Sequence, residues 1–157
     1  ASPPCTYSSV ASIGHHWNKD NTPKTKEAIL GVKIVQKTLD IIKFLQPKYF
    51  FIENPRGKLR KLDVVKGIPK ATITYCQYGD TRMKPTDIWT NALDIWDPRP
   101  MCKNGMPCHT AAPRGSQTGT QGLKGNYERS IVPYELCKEI LFSAHNDKVS
   151  KELINKI

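Results

Sequence analysis

Lys48-Tyr49-Phe50-Phe51-Ile52-Glu53 is a short apolar run that ends in an acid, with Pro47 before it and Asn54-Pro55-Arg56-Gly57 after it. Proline and glycine punctuate a chain at the ends of its regular elements, and an apolar run of this length between them is typical of a buried strand. We therefore predict a strand over residues 48–53, with Glu53 and Asn54 where it ends.

The segment before this strand has the spacing of an amphipathic helix. Thr22 is a suitable N-cap with Pro23 at the first helical position, and Pro47 ends the pattern. Residues 23–46 are thus predicted to be helical, and a helix between strands favours an α/β fold with a parallel sheet. Apolar residues recur there at three- and four-residue steps: Ala28, Ile29, Val32, Val35, Leu39, Ile42 and Leu45.

Weaker patterns predict the rest of one domain of 157 residues. A short helix is expected over residues 59–65, strands over 71–76 and 87–91, and a helix from 133 to 145, continuing into the tail. Residues 98–132 form a long irregular stretch rich in glycine. A loop of this length inside a compact domain is usually functional or flexible.

The composition indicates a polyanionic partner. The formal net charge is +10, which suits nucleic acid, although a basic protein without such a partner is the alternative. No apolar run approaches the ~18 residues needed to cross a membrane. Five cysteines and no secretory signal favour a reduced cytoplasmic setting, in which thiols serve catalysis or metal binding.

Four short motifs follow one another along the chain. Ser2-Pro3-Pro4-Cys5 is followed by Glu53-Asn54-Pro55, then by Tyr78-Gly79 with Arg82-Met83-Lys84, and last by Ile131-Val132-Pro133. In this order and at these spacings they resemble motifs of the DNA cytosine-C5 methyltransferases. Pro55 replaces the usual valine of that family, and Lys84 replaces a second arginine.

The resemblance implies an incomplete Rossmann-like class I methyltransferase fold and S-adenosyl-L-methionine as cofactor. Cys5 would be the nucleophile in a DNA substrate site, Glu53 the acid at the cytosine ring, and Arg82 a partner of the pyrimidine O2 or a phosphate. Binding roles are implied for other residues: Pro4, Asn54 and Lys84 for the substrate, and Pro3 and Val132 for the cofactor.

The family's Gly-rich turn and first strands have no counterpart in this sequence. We therefore expect an N-terminally truncated chain, inactive alone, whose missing half could be a separate polypeptide. The small insert at about residues 92–130 is similar to that of short bacteriophage members, which would place the protein in the bacterial host cytoplasm.

Three potential metal ligands lie in the glycine-rich segment. Cys102, Cys108 and His109, with Cys76 on a nearby strand end, could hold a structural zinc. They do not form a Cys-x-x-Cys pair, and free thiols are the alternative.

Three cations of the same segment, Arg114, Lys124 and Arg129, could follow a phosphate backbone, or the loop could simply be flexible. Two further interpretations of the whole chain stay open. One is a non-catalytic DNA-binding remnant of the methyltransferase fold. The other is a zinc-stabilised nucleic-acid-binding module in which Cys5 has no catalytic role.

Overall fold

The structure is a computed structural model that describes residues 1–9, 13–111 and 126–154. The chain divides into two compact units. The first unit consists of Ala1–Thr72 and Pro85–Asn91, and the second of Ile73–Lys84 and the described part of Ala92–Ile157.

The first unit contains a short helix α1 (Ile13–His16) and a long helix α2 (Lys26–Leu45). The N-cap of α2 is Thr25, whose hydroxyl accepts a hydrogen bond from the Ala28 amide at 3.2 Å. The predicted N-cap, Thr22, is wrong because its hydroxyl and amide are bound by Asp20. Pro23 forms an isolated β-bridge with Trp17 instead of opening the helix.

The predicted end of α2 is confirmed. Gln46 adopts a left-handed conformation with φ of 44°, and its amide donates to the carbonyl of Ile42. This bond satisfies one of the carbonyls that a helix C-terminus leaves without a partner. Pro47 follows, has no amide hydrogen to donate, and stops the helix there.

Three strands form one sheet in the order β1-β3-β2. They are β1 (Phe51–Pro55), β2 (Lys70–Thr74) and β3 (Pro85–Thr90). β3 pairs antiparallel with β1, in a register that runs from Phe51 opposite Thr90 to Pro55 opposite Thr86. The α/β class is thus confirmed, whereas the predicted parallel pairing is wrong for these hydrogen-bonded neighbours.

The predicted parallel pairing is wrong because β3 lies between β1 and β2 in the sheet. An amide of Thr90 donates to the carbonyl of Pro69, and Tyr75 donates to Met83 in the same way. These two hydrogen bonds pair β2 and β3 as antiparallel strands, as in a hairpin. Antiparallel neighbours need no crossover helix between them. On its other edge, β1 is contacted by Ala1, whose amine donates to the carbonyl of Phe51 at 2.6 Å.

An apolar core fixes α2 against the sheet in the first unit. It contains Val35 from the helix, Ile52 and Trp89 from the strands, and Leu59 and Val65 from the connection between β1 and β2. That connection forms two 3-10 turns, Leu59–Lys61 and Asp63–Val65, rather than the single predicted helix. The extended backbone of Leu62 separates them, so that both turns direct an apolar side chain into the core.

The second unit contains a 3-10 turn, Tyr75–Tyr78, which follows β2 directly. The strand therefore ends at Thr74, two residues before its predicted end. The second unit also contains α3 (Asn126–Ser130) and α4 (Tyr134–Ile154), which starts directly after Pro133. The acid Glu139 of α4 accepts from the indole of Trp96 at 3.1 Å and from Arg99 at 2.8 Å. Nowhere in the described residues is a helix long and apolar enough to cross a membrane.

Candidate catalytic loop and metal centre

The Cys5 loop is a tight turn. The amides of Ser8 and Ser9 both donate to the carbonyl of Cys5, at 3.0 and 2.9 Å. Cys5 itself is half-buried, between a buried Pro3 and an exposed Pro4. The turn fixes the backbone at Cys5 and leaves its side chain partly accessible.

Asn54 connects this loop to the end of β1. Its side-chain amide donates to the carbonyl of Pro3 at 3.0 Å, and its Oδ1 accepts from the Ser8 hydroxyl at 3.1 Å. The side chain is almost completely buried, with 1% of its surface exposed. Asn54 therefore contacts the loop on both sides of Cys5 and fixes its position relative to β1.

Gly57 and Lys58 hold the far side of the same loop, and sequence reasoning missed both. The Lys58 amide donates to the carbonyl of Ser8 at 2.7 Å. A Cβ at Gly57 would lie 2.3 Å from that same oxygen, a distance that no real side chain tolerates. The available signal was the glycine two residues after Pro55, which permits a close approach of two backbones.

Glu53 lies beside the loop, one residue before Asn54. Its Oε2 accepts a hydrogen bond from the Ser2 hydroxyl at 2.5 Å, and its backbone amide donates to the carbonyl of Ala1 at 2.8 Å. The residues that flank Cys5 thus contact two successive residues of β1. The structure places the Cys5 loop beside Glu53 and Asn54 of β1. The predicted strand bounds of 48–53 are wrong, because β1 runs from Phe51 to Pro55 and Glu53 lies in its middle, paired with Ile88.

Arg82 belongs to the second unit, where its guanidinium is held by protein groups. Nε donates to both carboxylate oxygens of Asp80 at 2.9 and 3.0 Å, and Nη2 donates to Asp80 Oδ2. Nη1 donates to the carbonyl of Glu128 at 2.8 Å, and Nη2 to that of Ile131 at 3.2 Å. Arg82 is 8% exposed and lines an open cleft with Tyr134.

The ion pair between Arg82 and Asp80 shifts both side chains toward their charged forms. Burial alone raises the pKa of Asp80, but the hydrogen bonds and the charge of Arg82 outweigh it, and the net pKa lies below the usual value. The hydrogen bond to Asp80 raises the pKa of Arg82. Both groups are therefore charged at neutral pH, and Arg82 joins the turn after Gly79 to the segment before α4.

Lys84, like Arg82, donates to a backbone carbonyl near the end of α3. Its ammonium donates to the carbonyl of Arg129 at 2.9 Å and lies 4.4 Å from the centre of the Tyr75 ring, a cation–π distance. Val132 is half-buried just ahead of α4. Of the other cations predicted to contact DNA, Arg114 and Lys124 lie outside the described residues.

A cluster of four potential metal ligands is formed in the second unit by Cys76, Cys102, Cys108 and His109. Their ligand atoms all lie within 4.8 Å of one another. The sulfurs of Cys102 and Cys108 are 3.1 Å apart, and the Nδ1 atom of His109 lies 3.5 Å from the first and 3.6 Å from the second. The structure thus unites the four residues that the sequence named as metal candidates.

The thiols of this cluster influence one another. The hydrogen bond with Cys108, together with burial, raises the pKa of Cys102 to about 12. Hydrogen bonds with His109 and with Cys102 lower the pKa of Cys108 to about 7. Cys108 is therefore the thiol of this pair that deprotonates first.

The chain is similar to a probable DNA (cytosine-5)-methyltransferase of Frog virus 3 (isolate Goorha). The two are 32% identical over 96 residues, which cover 58% of this chain and 44% of the relative. The chain thus spans less than half the length of the curated relative that it matches. No family model matches it, and no solved structure is significantly similar. The resemblance to the DNA cytosine-C5 methyltransferases is confirmed by this relative.

Proposed function

We propose that this chain carries the nucleophile and the acid of an S-adenosyl-L-methionine-dependent DNA cytosine-C5 methyltransferase. The observation that carries the proposal is the double hydrogen bond of Asn54, which holds the Cys5 loop against β1, the strand that bears Glu53. A thiol in this loop and a carboxyl on the adjacent strand are the two groups that this reaction requires. The printed name of the viral relative supports the same activity.

Cys5 would attack C6 of the cytosine as a thiolate, the nucleophilic form of cysteine. The new C6–S bond moves the electrons of the C5–C6 double bond toward C5 and N3. Glu53 would donate a proton to N3 as this charge develops. After C5 has been methylated, a water molecule takes the proton from C5 and the C5–C6 double bond re-forms as the C6–S bond breaks. Cys5 leaves as a thiolate, and N3 returns its proton to Glu53.

S-adenosyl-L-methionine would supply the methyl group as an electrophilic sulfonium. Pro3 and Val132 are the residues of this chain for which the resemblance implies contact with it. The side chain of Pro3 is buried, and its carbonyl receives the Asn54 amide. Pro3 would therefore fix the position of the loop through this hydrogen bond. Its contact with the cofactor is inferred from the resemblance alone.

DNA is the proposed substrate, and the net charge of +10 favours its binding. The target base must leave the duplex before a thiol can reach C6. The half-exposed side chain of Cys5 is compatible with approach of an extruded base.

The test is a covalent trap. In a complete methyltransferase that contains this chain, a duplex with 5-fluorocytosine at the target should stop the reaction at the C6–S adduct, because fluorine blocks the final loss of a proton. Denaturing electrophoresis and mass spectrometry should detect a protein–DNA species. Cys5→Ser should abolish it. Cys137→Ser, at an exposed thiol of α4, is the matched control and should retain it.

If Cys5→Ser forms the adduct in equal yield, Cys5 is not the nucleophile and the proposal is wrong. DNA binding without any adduct in the unchanged enzyme would favour the non-catalytic DNA-binding remnant. The zinc-stabilised binding module is favoured by the Cys/His cluster, but that cluster is equally compatible with an enzyme.

A further inference from the structure

We infer that Cys76, Cys102, Cys108 and His109 bind one structural zinc ion in the second unit. The sequence named these four residues as candidate ligands, with Cys76 the one that lies far from the other three in sequence. The structure brings Cys76 to the others, because its sulfur lies within 4.8 Å of every other ligand atom of the cluster. The inference does not depend on the proposed methyltransferase activity.

The separations between His109 Nδ1 and two of the sulfurs fit a tetrahedral ion. With Zn–S bonds of about 2.3 Å and Zn–N bonds of about 2.0 Å, neighbouring ligand atoms of a tetrahedral site lie roughly 3.5–3.8 Å apart. The two distances from His109 Nδ1 to sulfur, 3.5 and 3.6 Å, agree with this. The 3.1 Å between the sulfurs of Cys102 and Cys108 needs only a modest outward shift.

The chemistry of the donors selects the metal and its role. Three thiolates and an imidazole are soft or intermediate ligands, which favour zinc over magnesium or calcium. Four protein ligands also fill a tetrahedral coordination shell, so no position remains for water or substrate. The ion would therefore be structural.

Neighbouring groups orient the ligands from both sides. The Cys102 amide donates to the Thr74 hydroxyl at 2.9 Å, and the Thr110 amide donates to the carbonyl of Thr81 at 2.9 Å. The side chain of Gln77 donates to the sulfur of Cys108 at 3.6 Å. Such outer contacts hold metal ligands in position and strengthen binding.

The ion would connect two segments of the second unit that are distant in sequence. Cys76 lies in the 3-10 turn Tyr75–Tyr78, whereas the other three ligands lie in an irregular segment of residues 101–111. Within that segment only Cys102 is buried, so its side chains provide almost no apolar core. Zinc would supply the stability that burial does not, as it does in other small metal-stabilised segments.

The test is metal analysis of untagged protein purified without chelator. We expect about one zinc per chain in the unchanged protein, and less than about one-tenth in a Cys102→Ser/Cys108→Ser variant. Cys137→Ser and Cys5→Ser, which change thiols outside the cluster, should keep the full amount. Cobalt substitution should produce the intense visible absorption of a tetrahedral thiolate site.

A second measurement uses only the unchanged protein, in case the double variant fails to fold. Removing the metal with a chelator should accelerate proteolysis within residues 101–111, and added zinc should restore protection. The inference is overturned if the unchanged protein contains no zinc. The same holds if thiol titration shows a Cys102–Cys108 disulfide in place of the metal. Zinc that persists in the folded double variant overturns it as well.

Discussion

At the scale of single residues, the candidate site depends on one buried amide. Asn54 offers both a donor and an acceptor, and the loop takes both, through Pro3 and Ser8. An aspartate in its place would present two acceptors to the carbonyl of Pro3, and an alanine would present nothing. Only an amide matches the two partners at once, which explains why this residue type follows Glu53.

Replacing Asn54 by alanine should therefore destabilise the first unit and displace the Cys5 loop. Leaving buried polar partners without hydrogen bonds costs about 1–3 kcal/mol. Denaturant unfolding measures this loss. In the complete enzyme, formation of the 5-fluorocytosine adduct should slow while DNA affinity stays the same.

Asn18→Ala is the matched control, because this exposed amide donates only to the Thr22 hydroxyl among the bonds described. Exposed substitutions of this kind usually change stability by less than about 0.5 kcal/mol. Equal losses for the two variants would contradict a special role of Asn54 in holding the loop.

At the scale of elements, α2 positions β1, because its buried Val35 packs in the core that also contains Ile52. Its start was the one boundary of this helix that the sequence predicted wrongly. Both Thr22 and Thr25 are acceptable N-caps by residue type. The choice between them depends on Asp20, which binds the amide and hydroxyl of Thr22 and so keeps it in a separate turn.

The two threonines provide a matched test of this boundary. Thr25→Ala should lower the free energy of unfolding by about 1 kcal/mol, since it removes the acceptor of the Ala28 amide. It should also accelerate hydrogen exchange of that amide. Thr22→Ala should leave the exchange of Ala28 unchanged. If Thr22→Ala accelerates the exchange of the Ala28 amide more than Thr25→Ala does, the helix starts at the predicted position.

At the scale of the whole molecule, the dominant property is the surplus of 24 basic over 14 acidic residues. Such a surplus attracts DNA, and the number of phosphates contacted is measurable as the slope of affinity against salt. The proposed contribution of Arg114, Lys124 and Arg129 stays a prediction, because two of these residues lie outside the described part of the chain.

Replacing these three cations by alanine should weaken DNA binding and flatten its salt dependence. Each lost phosphate contact reduces the slope of log K against log salt by about 0.9, so the full change is about 2.7. Fluorescence anisotropy over a salt series measures it. Replacing three exposed lysines of α2, Lys26, Lys33 and Lys37, removes the same charge elsewhere. Equal slopes for both triple variants would exclude a specific contact surface in residues 112–130.

The sequence by itself determined the features that depend on near neighbours. The helical spacing of α2 and its end at Pro47 follow from local periodicity and from a missing amide hydrogen. The order and spacing of four short motifs, at Cys5, Glu53, Arg82 and Val132, indicated the methyltransferase resemblance, which the viral relative confirms.

Only the tertiary structure decided which distant groups meet. Nothing local to β3 specifies that it enters between β1 and β2, because strand order depends on the packing of the whole sheet. The same holds for the partners of Asn54 and for the ion pair of Arg82 with Asp80. Periodicity reports which face of an element is buried, whereas hydrogen-bond partners are chosen only when the faces pack together.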